Sequence, residues 1–73
     1  MMKAMAQRIE NAHAAFIETL RSFAGISREE AIKVKTLYLK HRLATLDPGI
    51  GKIHVKHGAY LEPDVIRRAV DME

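Results

Sequence analysis

His54 and His57 stand three residues apart, and with His13 and His41 they are the side chains of this sequence best suited to hold a metal ion. A metal site needs several donors converging on one point. On a β-strand, residues share a face at steps of two, so His54 and His57 point to opposite sides. His13 and His41 fall on helical stretches, and no H-E-x-x-H pattern gathers a pair. The histidines read as packed or solvated side chains, and no metal or other cofactor is expected. Gly49-Ile50-Gly51-Lys52 has the look of a phosphate loop, but that motif needs a Ser or Thr after the lysine and a helix after the loop. Here Ile53 follows the lysine, and a strand follows the loop. Glu29 with Glu30, and Asp71 with Glu73, are the carboxylate pairs that could serve acid–base chemistry, yet they sit on solvated turns at helix ends. Ser27 lacks any nucleophile context. A fold this small also has little room for a deep pocket. The chain reads as no enzyme, with no small-molecule substrate.

Basic residues make the most suggestive pattern. Arg28, Lys35 and Arg42 form one heptad-spaced row, Lys33 and Lys40 another, and Lys52 and Lys56 share the outer face of a strand. A basic helix followed by a basic hairpin is the layout of a winged helix, with the helix in a groove and the wing on phosphates. Against this, charged stripes are usually solvated faces, and the run from Arg28 to Leu43 has no Gly or Pro to separate a short helix from a reader helix. The net charge of +3, from 12 Lys and Arg against 9 Asp and Glu, is a mild excess. Dedicated nucleic-acid binders often carry more.

The elements that would position these residues are legible in order. Met2, Met5, Ile9, Ala12, Phe16, Leu20 and Phe23 recur at steps of three and four, which predicts an amphipathic helix over 2–23. Gly25 supplies its left-handed end. The same stripe reads as heptads, so Met5, Ile9, Phe16, Leu20 and Phe23 are candidate residues for a partner or dimer seam. Packing on the rest of its own domain explains the stripe equally well. Ser27 and Glu30 form a capping box that opens a second helix running to Leu43. That helix carries two apolar stripes, Ala31, Val34, Leu37 and Tyr38 on one side and Ile32, Leu39 and Leu43 on the other, so it should touch two neighbours. Leu46-Asp47-Pro48-Gly49-Ile50-Gly51 is a turn. Residues 52–57 alternate, with Ile53 and Val55 inward, and pair with Ala44-Thr45-Leu46 in a hairpin that Gly58 ends. Pro63 suits the first position of a last helix, carried by Val65, Ile66, Ala69 and Val70, with fraying expected at Asp71 and Glu73.

The 73 residues allow one domain, 1–73, and 48% hydrophobic with 29% charged residues is globular composition. Without cysteine there is no disulfide or thiolate zinc to reinforce a thin core, which favours gaining buried surface by homodimerisation. No apolar run spans a bilayer and no signal segment is evident, so no membrane partner is expected and the protein reads as cytoplasmic.

The C-terminal half resembles small proteins of unknown function encoded by bacteriophages and prophages. The residues that carry the likeness are Tyr38-Leu39-Lys40, Leu46-Asp47, Gly51, Val55-Lys56-His57-Gly58-Ala59, Leu61 and Asp64-Val65. It implies an accessory protein of the bacterial cytoplasm that binds and redirects a host or phage factor, or counters a defence system. It assigns no functional residue. The expected architecture is α-α-β-β-α, a mostly helical domain with a small hairpin, winged-helix-like and dimeric. The expected action is protein binding. The alternative is a small DNA-binding regulator using Arg28, Lys35, Arg42, Lys52 and Lys56, and a structural assembly role stays open.

Overall fold

Residues Met2–Ala24 form the first helix, α1, one residue longer than the periodicity predicts. The computed structural model describes residues 2–72, with side chains from Ala4 onward. The heptad position of Met2 and the fraying expected at Glu73 fall outside that description. Gly25 closes α1 at φ +63, and its N–H donates to the Arg21 carbonyl at 2.8 Å. Of the α1 stripe, Ala12, Phe16, Ile17, Leu20 and Ala24 are buried, while Met5 and Phe23 are exposed and Ile9 is half-buried. At about 1.5 Å per residue, α1 spans most of the 39 Å long axis of the molecule.

A three-residue link leads to α2, Arg28–Lys40. The capping box forms as expected: the Glu30 N–H donates to Ser27 Oγ at 3.1 Å, and the Ser27 N–H donates to Glu30 Oε1 at 2.8 Å. The helix ends three residues before Leu43. Arg42 takes a left-handed conformation, φ 60. Its N–H donates to the Leu39 carbonyl at 3.2 Å, and the Leu43 N–H to the Tyr38 carbonyl at 2.8 Å. This is the Schellman ending, built with arginine where glycine is usual. Ala31, Val34, Leu37 and Tyr38 are buried; Leu39 and Leu43 pack at the core's edge, and Ile32 is exposed. As two stripes require, α2 has several neighbours: α1, the first strand and the last helix.

Strands β1, Ala44–Asp47, and β2, Lys52–Val55, pair antiparallel with Ala44 opposite Val55 and Asp47 opposite Lys52. Asp47 Oδ1 accepts from the Gly49 and Ile50 N–H groups at 3.0 and 3.1 Å, which shapes the turn. A short 3₁₀ turn, η1, Gly58–Leu61, follows, then α3, Pro63–Val70. Ile66 and Ala69 of α3 are buried. Arg67 Nε donates to the Ala24 carbonyl at 3.2 Å and so satisfies an otherwise free group at the end of α1. The result is a compact, mostly helical domain in the order α-α-β-β-α, its core formed where α1, α2 and α3 meet and closed by the hairpin.

His13, on the α1 edge, has a buried Nδ1 with no hydrogen-bond partner among the described residues. Burial, and then the positive charge of Lys35, lower its pKa below the ordinary 6.5. The unfolded chain therefore takes up this proton first. Stability should be full above about pH 6.5 and fall as the pH drops from there toward the folded-state pKa. The urea midpoint is expected to decrease from pH 7 to pH 5, and His13→Leu should flatten that decrease. Identical pH profiles for both proteins would sink the assignment.

Candidate binding groove between the first helix and the hairpin

The Lys56 N–H donates to the Leu43 carbonyl at 2.7 Å. With the register given above, the alternation of an antiparallel ladder makes Thr45–His54 and Asp47–Lys52 the hydrogen-bonded pairs. The N–H and C=O groups of Ile53 and Val55 then point away from β1, along the outer edge of the hairpin. Among the described residues, none of these four groups bonds to another backbone group or to a side chain.

An open groove of about 400 Å³ lies between this edge and α1. Its helical wall is Ala12, Ala15, Phe16 and Thr19, and its strand wall runs from Gly51 to Val55, with Gly58 and Leu61 beyond. Two alanines and a threonine keep the helix wall low. The Thr19 hydroxyl donates to the Ala15 carbonyl at 2.9 Å and is occupied within the helix. At the hairpin tip, Arg8 Nη1 donates to the Gly49 carbonyl at 3.1 Å, and the arginine stem lies over Gly51. Gly51 has φ +79, and a Cβ there would displace that stem, so glycine is favoured on both counts.

Met5 and Phe23 share the face of α1 that borders the groove, beyond its lining residues on either side. They are eighteen residues apart, about five whole turns at 3.6 residues per turn, and Ala12 and Phe16 fall within about 20° of the same azimuth. Met5 is 55% exposed and Phe23 50%. The strand side is cationic: Lys52, His54 and Lys56 are exposed on the outer face, Arg8 closes one end, and no carboxylate lines the groove.

The sequence candidates are thereby redistributed. Phe16 and Leu20 belong to the core of this chain, with Phe16 also touching the groove floor. Met5, Ile9 and Phe23 keep exposed surface along the same stripe. Lys52 and Lys56 sit together on the hairpin as expected. Arg28 is exposed at the far end of α2, Lys35 is half-buried near His13, and Arg42 has left the helix. The row Arg28–Lys35–Arg42 therefore does not form, because it required a helix running unbroken to Leu43. Sequence reasoning missed Ala12, Ala15 and Thr19. The signal was available, since small residues at such spacing on one helix edge leave room for a neighbouring backbone.

A larger depression, about 870 Å³, lies between the end of α2, η1 and α3, with Leu37, Leu43, Tyr60, Val65 and Met72 among its lining. Its lining is mainly apolar, with the polar side chains of His41, Arg68 and Asp71 among it. Among the described residues, no three His, Asp or Glu side chains come together as metal ligands, and no helix is long and apolar enough to cross a membrane. No protein-family model, no curated protein and no solved structure matches this chain.

Proposed function

We propose that this is a non-catalytic accessory protein of the phage type, which acts in the bacterial cytoplasm by docking on a host or phage protein through the α1–hairpin face. The observation that carries the reading is the pair Met5 and Phe23, each about half exposed on the face of α1 that also carries the groove-lining Ala12 and Phe16, one on either side of them along the helix. Burying a large apolar side chain contributes about 1.5–3 kcal/mol, and two such anchors around a low-walled groove suit a protein surface better than a phosphate backbone. Self-association through the same ends is the form a homodimer would take.

The test uses immobilised protein and the double variant Met5→Asp, Phe23→Asp to capture protein from bacterial host lysate. Both positions are exposed, so the variant should keep its circular dichroism spectrum. A near-stoichiometric partner captured by the parent and lost at least tenfold by the variant is expected. Equal capture by both, or none by either, overturns the reading, and a doubled mass of the parent alone in light scattering assigns the face to a second copy.

A second reading, a DNA-binding regulator, has one observation in its favour. The Gly25-Ile26-Ser27 link joins two helices and is followed by a hairpin with Lys52 and Lys56 outward, the connectivity of a helix-turn-helix with a wing. Fluorescence anisotropy of a labelled duplex decides it. Binding that falls steeply between low and physiological salt, and is lost in Lys52→Glu with Lys56→Glu, would favour DNA over protein.

A further inference from the structure

We infer that the outer edge of β2 receives an extended, acidic segment of the partner protein as a third strand lying along α1. The inference rests on the protein-docking reading above and names the chemistry of what docks. Strand addition needs a row of free N–H and C=O groups repeating every second residue. Ile53 and Val55 provide that row. It also needs space for a backbone about 4.8 Å from the edge, and the open groove beside β2 is bounded on its α1 side by the small side chains of Ala12, Ala15 and Thr19, with Phe16 the one large side chain, buried at the floor.

Charge selects the occupant. Side chains of an added strand that share the outer face would lie beside Lys52, His54 and Lys56, with Arg8 at the tip. Opposite charges across a strand pair stabilise it, and like charges oppose it. An alternating segment with carboxylates outward and small apolar residues inward satisfies both walls. A second copy of β2 does not. Antiparallel self-pairing centred on His54 would set Lys52 against Lys56 at both ends, so the edge lysines that admit an acidic strand also keep like strands apart.

The probe is a fluorescein-labelled nonapeptide alternating valine and glutamate, compared with its valine–lysine counterpart and a glutamate-only peptide. Binding is read by anisotropy and by the amide signals of the ¹⁵N-labelled protein. The valine–glutamate peptide is expected to bind about tenfold more tightly than either control, as two favourable cross-strand pairs would give. The Ile53 and Val55 amides should shift and exchange more slowly with solvent. Lys52→Glu with Lys56→Glu should reverse the preference toward the lysine peptide, a gain that misfolding cannot mimic. Equal binding of all three peptides, unmoved Ile53 and Val55 amides, or a duplex DNA that shifts those amides instead would each overturn the strand proposal. If the amides stay unmoved while the Met5, Phe23 variant still loses its captured partner, the strand proposal fails and the docking reading survives. If neither effect occurs, both fail.

Discussion

Phe16→Asp is expected to leave the chain unfolded at micromolar and millimolar concentration alike. Phe16 is 5% exposed and sits in the cluster joining Leu20, Val34, Tyr38 and Ile66. Truncating a buried phenylalanine costs about 3–5 kcal/mol. A carboxylate placed there without a partner adds several more, or is forced to stay protonated. A single core in a chain of 73 residues supplies about 3–5 kcal/mol in total, so the substitution exceeds what is available. The concentration range matters because the α1 stripe also has the pattern of a seam between copies. A seam centred on Phe16 would give stability that rises with concentration by mass action. Circular dichroism at both concentrations, with sedimentation to give the mass, separates the cases. A folded monomer would remove Phe16 from the core, and folding regained at high concentration would return it to an interface. Met5→Asp and Phe23→Asp, on the same stripe, should leave the helix content unchanged.

That contrast marks what one-dimensional pattern can express. Phe16 and Phe23 are seven residues apart on one stripe, yet they are 5% and 50% exposed. Periodicity gives azimuth along a helix; how far the neighbouring elements reach along its axis is decided by tertiary packing. Where the instructions are local, the reading holds. Ser27 and Glu30 satisfy each other within one turn of helix, Gly25 takes the φ that only glycine takes freely, and the alternation at Lys52–Val55 meets a register that puts Ile53 and Val55 on the core side. The end of α2 was illegible for the opposite reason. Arg42 adopts a left-handed conformation costing about 1–2 kcal/mol for a side chain with a Cβ, and the two local bonds of the Schellman ending together with one non-local bond offset it. The turn delivers the Leu43 carbonyl to the Lys56 N–H, thirteen residues on, and starts the hairpin ladder. With arginine at that position, nothing local separates Leu43 from the helix before it. The basic row failed with the helix that would have carried it. The groove had no motif at all, because its specific feature is unpaired backbone, and backbone is the same for every residue.

The second large effect tests how that groove is held open. Tyr38 is 1% exposed, its hydroxyl donates to the Tyr60 carbonyl at 2.8 Å, and the two rings meet edge-on with centroids 5.6 Å apart. No capping side chain holds the start of η1, and these contacts tie to α2 the turn that sets Gly58 and Leu61 at the groove's end. Tyr38→Ala should cost about 3–5 kcal/mol and unfold most of the population. Tyr38→Phe keeps the ring and removes the donor. It should cost about 1–2 kcal/mol, since the Tyr60 carbonyl is left without its partner. A lower urea midpoint is one expected sign. The more telling one is local: the Glu62 N–H, which donates to the Ala59 carbonyl at 3.1 Å, should exchange faster with solvent while the amides of α1 change only with global stability. Because Tyr38 itself does not line the groove, weaker binding of the valine–glutamate peptide by Tyr38→Phe would be transmitted through η1. An unchanged urea midpoint together with unchanged exchange at Glu62 would show that the hydroxyl holds nothing, and the Gly58–Leu61 end of the groove would then be fixed by the packing of η1 on α3 and β2.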